Sequence, residues 1–165
     1  MQSILIQTAT EAHLPAITEI YNQAILTTTA TFDTEEKTLE NRLDWLQNRN
    51  SNFPILVLLK DEKVVGYIAL NKWSERKAYD ITAEISLYIL ENERGNGYGK
   101  MLLNEMIQVA KKTELTSLLA RITTENKQSI FMHTQVGFVV VGIMQKVGEK
   151  FGKKLDVTML QMMLK

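Results

Sequence analysis

The feature that most constrains the fold of this chain is the glycine-rich stretch Arg94-Gly95-Asn96-Gly97-Tyr98-Gly99. It follows an alternating apolar run from Ala83 to Leu90 and opens into a helical pattern from Lys100 to Lys112, which predicts a strand, a loop and a helix. The glycines permit positive φ and let a ligand approach the main chain. Such a loop directs N–H groups at an anion, and the helix dipole adds positive potential. The stretch predicts a phosphate site, with a simple turn as the alternative.

Two common phosphate motifs do not fit this loop. The P-loop requires Gly-x-x-x-x-Gly-Lys-Ser/Thr, and the dinucleotide fingerprint requires a glycine where Lys100 stands. What remains is Arg94-x-x-Gly97-x-Gly99 after a strand. This arrangement resembles the pyrophosphate-binding signature of the GCN5-related N-acetyltransferases (GNAT), which implies acetyl-CoA as the ligand.

Size and charge limit the other possibilities. The 165 residues, 45% of them hydrophobic, suit one domain with a core of its own, which we expect to span 1–165. Nineteen basic residues balance nineteen acidic ones, so no overall field attracts nucleic acid or an anionic membrane. We therefore expect no nucleic acid and no membrane as partners.

Cysteine and the N-terminus bear on the compartment. The chain has no cysteine, which excludes disulfides, thiolate metal sites and a cysteine nucleophile, and we expect no metal. The segment Met1 to Ala9 lacks the basic start and the apolar run of a signal peptide, and no run approaches membrane-spanning length. These observations predict a soluble cytoplasmic protein.

Periodicity predicts the elements of the first half. Ser3 to Thr8 alternates like a strand, and Thr10 is placed to cap a helix whose apolar face comprises Leu14, Ile17, Tyr21, Ala24 and Ile25. A second helix begins at Thr38, with Leu39, Leu43 and Leu46 on one side and Trp45 beside them. A hairpin follows, in which the turn Asp61-Glu62-Lys63 joins strands Pro54–Lys60 and Val64–Asn71.

The second half adds strands on both sides of the glycine loop and its helix. After the helix come a strand from Ser117 to Thr123 and a short helix from Asn126 to Val136 that ends at Gly137. Two final strands, Phe138–Val147 and Lys154–Leu164, enclose a connection that contains Gly148 and Gly152. The order βααβββαβαββ predicts an α/β (α+β) fold, a mixed and mostly antiparallel sheet of about seven strands flanked by four helices.

The resemblance extends over nearly the whole chain. The matching segments, in order, are Tyr21-Asn22-Gln23-Ala24-Ile25, Ala30-Thr31-Phe32, Arg42 with Trp45, Trp73, Glu84-Ile85-Ser86-Leu87-Tyr88-Ile89, the glycine loop, Asn126 with Ser129 and Ile130, His133, Gly137-Phe138, and Val147 to Val157. They resemble the phosphinothricin and methionine sulfoximine N-acetyltransferase branch of the GNAT family. The resemblance implies the GNAT fold, acetyl-CoA as co-substrate, the primary amine of a small molecule as acceptor, and a homodimer.

Glu84 is the candidate general base. Acetyl transfer needs a neutral amine, so some group must accept a proton. Glu84 lies in an otherwise apolar strand, and alternation places it on the face of Ser86 and Tyr88, where we expect it to be partly desolvated. The alternative is an exposed glutamate on the solvent face. The matching family position favours a base that acts directly or through water.

The resemblance also implies the other groups of the transfer site. Main-chain N–H groups of Leu87, Tyr88 and Ile89 would stabilise the oxyanion and pair with the pantetheine arm. His133 would act as the acid for the leaving thiolate, with a packed histidine as the alternative. The remaining predicted CoA-binding residues are Arg94, Gly95, Asn96, Gly97, Tyr98, Gly99, Asn126 and Ser129, of which Asn126 is also a candidate helix cap.

Acceptor recognition rests on the resemblance alone. The predicted substrate-binding residues are Phe32, Trp73, Ser74, Glu75, Ala83, Glu84 and Ile85. Relatives commonly carry arginine where this chain has Ser74, and an aromatic residue where it has Lys154. The loss of that arginine removes a bidentate grip on a carboxylate or phosphinate. Either Arg76 or Lys77 compensates, or the substrate differs.

Two alternatives to a small-molecule acetyltransferase stay open. One is a noncatalytic acyl-CoA-binding or interaction module on the same fold, because a fold does not fix a function. The other is acetylation of a peptide or protein amine. The methionines of the last strand, Met159, Met162 and Met163, suit either an adaptable interface or a core.

Overall fold

The computed structural model describes residues 1–165, with seven strands and four helices in the predicted order. Short 3-10 turns at Glu11–His13, Lys77–Tyr79 and Glu91–Glu93 join some of them. The elements are β1 (Ile4–Thr8), α1 (Leu14–Thr27), α2 (Leu39–Gln47), β2 (Ile55–Lys60), β3 (Lys63–Lys72), β4 (Thr82–Ile89), α3 (Tyr98–Ala110), β5 (Ser117–Thr123), α4 (Lys127–Gln135), β6 (Val139–Lys150) and β7 (Lys153–Met163).

All seven strands form one sheet in the order β1-β2-β3-β4-β5-β7-β6. Every neighbouring pair is antiparallel except β4 and β5, which are parallel. The predicted mixed, mostly antiparallel sheet with four helices is therefore confirmed.

Helices cover both faces of this sheet. The larger core lies between the sheet and α3, whose buried face includes Leu102, Leu103 and Met106, and α4 packs at its edge. The smaller core lies under α1 and α2 and contains the predicted apolar residues of α1 with Tyr67 of β3. None of the helices combines the length and the apolar character that crossing a membrane requires.

Strands β4 and β5 separate after a short stretch of pairing. Their parallel pairing covers only Thr82 to Glu84, which lie opposite Ser117 to Leu119. Beyond that point β4 continues to Ile89 and β5 continues to Thr123 without pairing to each other. The two diverging strands leave a wedge in the middle of the sheet.

Several predicted boundaries were wrong by a few residues. Lys63 pairs with Lys60, so the β2–β3 turn contains only Asp61 and Glu62, both with positive φ. Strand β6 extends to Lys150 because Gly148 pairs with Leu155, and the connection to β7 shrinks accordingly. In both cases cross-strand pairing continues past polar residues or a glycine.

The buried face of α2 also differs from its prediction. Thr38 caps the helix as expected, its hydroxyl accepting from the Asn41 N–H at 3.1 Å. Leu39 is exposed, however, and Arg42 is buried instead, with its guanidinium over the rings of Tyr21 and Trp45. Stacking on two aromatic faces allows the charged Arg42 to be buried.

Candidate active site

The wedge between β4 and β5 holds a cavity of about 610 Å³. Both strands contribute to its wall, together with the segment that follows α1, the start of α4, and parts of β6 and β7. Its lining includes Tyr21, Phe32, Asp33, Glu84, Ile85, Ser86, Leu87, Tyr88, Arg121, Asn126, Ser129 and His133. Both predicted catalytic residues and some of the predicted CoA-binding and acceptor residues thus meet in one place, whereas Ile89 and the glycine loop lie outside the lining.

Glu84 lies in this cavity as a partly buried carboxylate, with 16% of its side chain exposed. Arg121 of β5 bonds to it with both arms: Nε donates to Oε2 at 2.5 Å and Nη2 donates to Oε1 at 2.7 Å. The hydrogen bond to Glu84 raises the pKa of Arg121. Arg121 is absent from the predicted site residues, although a lone arginine within the apolar strand β5 was a signal for it.

The side chains that share the face of Glu84 are those expected from alternation. Ser86 accepts a hydrogen bond from Asn71 Nδ2 at 2.9 Å. The Tyr88 ring packs against Tyr21 and Tyr67, with centroid distances of 5.1 and 5.6 Å. Burial raises the pKa of Tyr88, so this phenol is neutral at physiological pH.

The main chain of β4 exposes donors to the wedge. Leu90 N–H donates to Val65 O of β3 at 2.8 Å, and alternate residues of an antiparallel strand direct their polar groups the same way. Tyr88 therefore points its N–H at β3, whereas Leu87 and Ile89 point theirs toward the open side. Of the three predicted main-chain donors, two face the wedge.

The glycine loop presents a continuous row of main-chain donors. None of the N–H groups from Gly95 to Lys100 donates a hydrogen bond within the protein. Gly95 and Gly97 have φ of +83° and +80°, a conformation that favours glycine. Asn96 Nδ2 donates to Glu93 O at 3.0 Å and Arg94 Nε to Ile89 O at 3.1 Å, so both side chains brace the loop.

Helix α4 brings His133 and Asn126 to the opposite wall. His133 is 3% exposed, its Nδ1 donates to Ser129 O at 2.8 Å, and its Nε2 has no partner in the protein. Burial lowers the pKa of His133, opposed by the bond to Ser129. Asn126 caps the helix by accepting from Ser129 N at 3.2 Å, and its Nδ2 makes no hydrogen bond.

The segment after α1 forms one side of the cavity. Lys150 fixes it from within, because its buried Nζ donates to Thr28 O at 2.7 Å and to Thr31 O at 2.8 Å. The Phe32 ring lies directly over Gly148 of β6, where an added Cβ would be 2.1 Å from Phe32 Cε2. The ring can occupy this wall only because β6 carries no side chain there.

Four predicted or suspected acceptor positions do not line the cavity. Ser74 instead accepts from Arg76 N at 3.2 Å, Glu75 pairs with Lys72 at 3.5 Å, and Lys154 is exposed in the β6–β7 hairpin. Ala83 is fully buried, because alternation turns it toward the α3 core. Ser74, Glu75, Ala83 and Lys154 therefore lie outside the cavity.

Trp73, also a predicted acceptor residue, reaches the site indirectly. It does not line the cavity, but its ring lies under the guanidinium of Arg121, 5.2 Å from the ring centroid. Trp73 therefore supports the residue that bonds to Glu84.

Comparison with known proteins decides the family. A model described as an acetyltransferase (GNAT) domain matches residues 6–159. The chain belongs to the GNAT acetyltransferase family. The expected N-acetyltransferase fold and enzyme class are thereby confirmed.

Two relatives of this acetyltransferase are named for activity on amino acids or their analogues. The L-methionine sulfoximine/L-methionine sulfone acetyltransferase of Pseudomonas aeruginosa is 37% identical over 164 residues, covering 98% of this chain and 95% of that protein. The L-amino acid N-acyltransferase MnaT of Escherichia coli is 34% identical over 160 residues, covering 96% and 93%. These matches confirm the predicted branch of the family.

A solved structure with the same fold was determined with acetyl-CoA. The acetyltransferase yncA from Salmonella typhimurium, determined with acetyl-CoA, superposes on this acetyltransferase with a TM-score of 0.96 at 35% identity. The match covers 99% of this chain and 95% of that one. Acetyl-CoA complexes among such neighbours support acetyl-CoA as the co-substrate here.

Proposed function

We propose that this acetyltransferase moves the acetyl group of acetyl-CoA to the primary amine of a small amino acid or amino-acid analogue of the methionine sulfoximine or phosphinothricin type. The observation that carries this proposal is the partly buried Glu84 carboxylate in the wedge, beside the open edge of β4. The substrates named for the two relatives support the choice of acceptor.

The free donors support a binding path for acetyl-CoA. The N–H groups from Gly95 to Lys100, at the start of α3, fit a pyrophosphate. From there the outward N–H groups of Ile89 and Leu87 line a path into the wedge, opposite the free Nδ2 of Asn126. In this proposal Arg94 and Asn96 hold the shape of the loop rather than the phosphates.

Glu84 acts as the base in the proposed reaction. The acceptor nitrogen attacks the thioester carbonyl, so that a C–N bond forms, the C–S bond breaks and CoA leaves as a thiolate. The proton that the acceptor ammonium must lose before it attacks goes to Glu84, directly or through one water, and the proton that the new amide nitrogen loses afterwards goes to solvent. The N–H of Leu87 or Ile89 would stabilise the negative charge on the carbonyl oxygen.

The acid role predicted for His133 has less support than the base role of Glu84. In the neutral ring, the protonated Nδ1 donates a hydrogen bond to Ser129 O. Nε2 then carries no proton and can accept a hydrogen bond. Burial lowers the pKa of His133, so the imidazolium that an acid requires is scarce near neutral pH. We propose that His133 Nε2 accepts a hydrogen bond in the cavity, and that it donates only when the ring is protonated.

Release of free CoA thiol from acetyl-CoA tests this function. The acceptors would be methionine sulfoximine, methionine sulfone, phosphinothricin, polyamines and short peptides. We expect turnover with the amino-acid analogues, and Glu84→Gln should lower kcat by about 10²- to 10⁴-fold, the usual contribution of a general base. Glu105→Gln, on the exposed face of α3, is the matched control and should retain activity.

Other results would support the alternatives. Binding of acetyl-CoA without thiol release for any amine, unchanged by Glu84→Gln, would favour the noncatalytic module. Turnover with peptides alone would indicate a peptide or protein amine.

We also propose a homodimer. The outer strand β6 exposes a series of apolar side chains, Val139, Val140, Val141, Ile143, Met144 and Val147, which suits an interface better than a solvated edge. Met162 of the neighbouring β7 is buried in the core, and Met163 is exposed. The cytoplasmic location and the single domain over 1–165 stay predictions from the sequence.

A further inference from the structure

Arg121 stands in the cavity without a function in the acetyl transfer described above. We propose that its guanidinium binds the α-carboxylate of the acceptor, and that this exchange frees Glu84 to receive the amine. The proposal rests on the proposed function and assigns the residue that recognises the α-carboxylate of its acceptors.

The ion pair has the charges that such an acceptor would need. An α-amino acid carries a carboxylate and an ammonium group on the same carbon, and Arg121 and Glu84 offer a guanidinium and a carboxylate in direct contact. The Arg121 fork matches a carboxylate with two parallel bonds, as it does Glu84 at 2.5 and 2.7 Å. The acceptor's carboxylate would take the place of Glu84 on Arg121.

Arg121 is free to change partner. Its side chain is 51% exposed, against 16% for Glu84, and Glu84 is the only carboxylate within 4.0 Å of it. Its other contact is the face of Trp73, which does not occupy its N–H groups. Because a partly solvated ion pair contributes little net stability, exchanging one carboxylate for another costs little.

No other cation in the cavity can hold a carboxylate. Arg121 is the one arginine or lysine among the lining residues, whereas Glu84 and Asp33 are both acidic. Asp33 is already bonded to the Tyr21 hydroxyl. The loop after β3 has Ser74 where relatives commonly carry arginine, and Arg76 lies outside the lining.

The exchange makes the base depend on the substrate. When the acceptor lacks a carboxylate, both oxygens of Glu84 stay bonded to Arg121. When the acceptor carries an α-carboxylate, that carboxylate bonds to Arg121, and the amine of the same molecule bonds to Glu84. Discrimination should therefore depend on the α-carboxylate more than on the rest of the acceptor side chain.

A comparison of L-methionine sulfone with its α-carboxamide tests the proposal. The wild type should prefer the acid in kcat/KM by about 10- to 100-fold, the value of a lost charged hydrogen-bond pair. Arg121→Gln should lower kcat/KM for the acid by a similar factor without lowering that for the amide, so that the preference disappears. Arg121→Lys keeps the charge without the fork and should fall between the two.

Arg76→Gln is the matched control, because Arg76 is an exposed arginine on the loop beside Trp73. It should keep the wild-type preference, and the KM for acetyl-CoA should be unchanged in all variants. The proposal is overturned if the wild type uses the amide as well as the acid. It is also overturned if Arg121→Gln lowers both by the same factor, the result expected of a merely structural arginine.

A binding measurement separates this proposal from the proposed function. If no amine is acetylated, the proposed function fails, and L-methionine sulfone is titrated calorimetrically into the CoA-saturated protein. Heat with the wild type and Arg76→Gln but not with Arg121→Gln would still support carboxylate binding by Arg121. No heat with the wild type would overturn it.

Discussion

At the scale of single residues, one cavity holds ionisable groups in very different surroundings. Glu84 and Arg121 neutralise each other by direct contact. Tyr88 lies among aromatic rings, and burial raises its pKa. His133 lies against the Ser129 carbonyl, and burial lowers its pKa. Both side chains therefore favour their neutral forms. The Glu84–Arg121 pair can therefore bind charged groups of a ligand, and the neutral His133 ring lies at the opposite wall.

His133 should make stability sensitive to acid. Because burial lowers its pKa below the ordinary 6.5, the unfolded chain takes up a proton at this residue before the folded chain does. The stability linked to the neutral ring is therefore complete above about pH 6.5 and is lost as the pH falls toward the lowered folded value. Thermal unfolding at pH 7.5 and 5.5 should show a smaller loss of Tm for His133→Gln than for the wild type.

An exposed residue of the same helix supplies the control for this measurement. Gln128 of α4 is exposed and carries no titratable group, so Gln128→Ala should keep the wild-type pH dependence. Equal acid sensitivity in the wild type and His133→Gln would show that the buried ring is not the linked group.

At the scale of elements, strand β6 leaves room for Phe32 in the proposed acceptor wall, because it carries no side chain at Gly148. An alanine Cβ at Gly148 would lie 2.1 and 2.5 Å from Phe32 Cε2 and Cδ2, so the ring would have to leave its place. Phe32 is partly exposed and can move outward, so the damage falls on the cavity more than on the fold. Gly148→Ala should raise the KM for methionine sulfone by about tenfold, the order of one lost apolar contact, and leave that for acetyl-CoA unchanged.

Gly142→Ala is the control on the same strand, because nothing lies within 4 Å of a Cβ added there. Its KM values should match those of the wild type. A Gly148→Ala enzyme with an unchanged acceptor KM would show that Phe32 is not part of the acceptor wall.

Elements were predictable where the signal is local. Alternation and helical spacing placed every strand and helix in order, and Thr38 and Asn126 cap as their residue types suggest. The wedge between β4 and β5 was not predictable, because it arises from pairing that stops at Glu84 although both strands continue. The Glu84–Arg121 contact follows from that long-range pairing, so the strand pattern and the family resemblance could single out Glu84 but could not indicate Arg121 as its partner.

At the scale of the whole molecule, the two edges of the sheet differ in character. The edge strand β1 has five residues with a single strongly exposed apolar side chain, Leu5. The opposite edge strand β6 has twelve residues and exposes apolar side chains along most of its length. A long apolar edge is a liability for a monomer, and burial between two copies would remove it.

A charge on β6 should therefore dissociate the proposed dimer. Ile143 is 56% exposed, so Ile143→Lys has little effect on the folded chain, but it would bury an unpaired ammonium group in the interface. Light scattering at micromolar concentration should give twice the chain mass of 18.9 kDa for the wild type and a single chain mass for Ile143→Lys. Leu5→Lys, at a residue 52% exposed on the other edge, should remain dimeric. A monomeric wild type, or equal dissociation by both variants, would contradict an interface on β6.

Because Met144 and Val147 of β6 also line the cavity, a dimer formed there would connect assembly to the shape of the proposed acceptor wall.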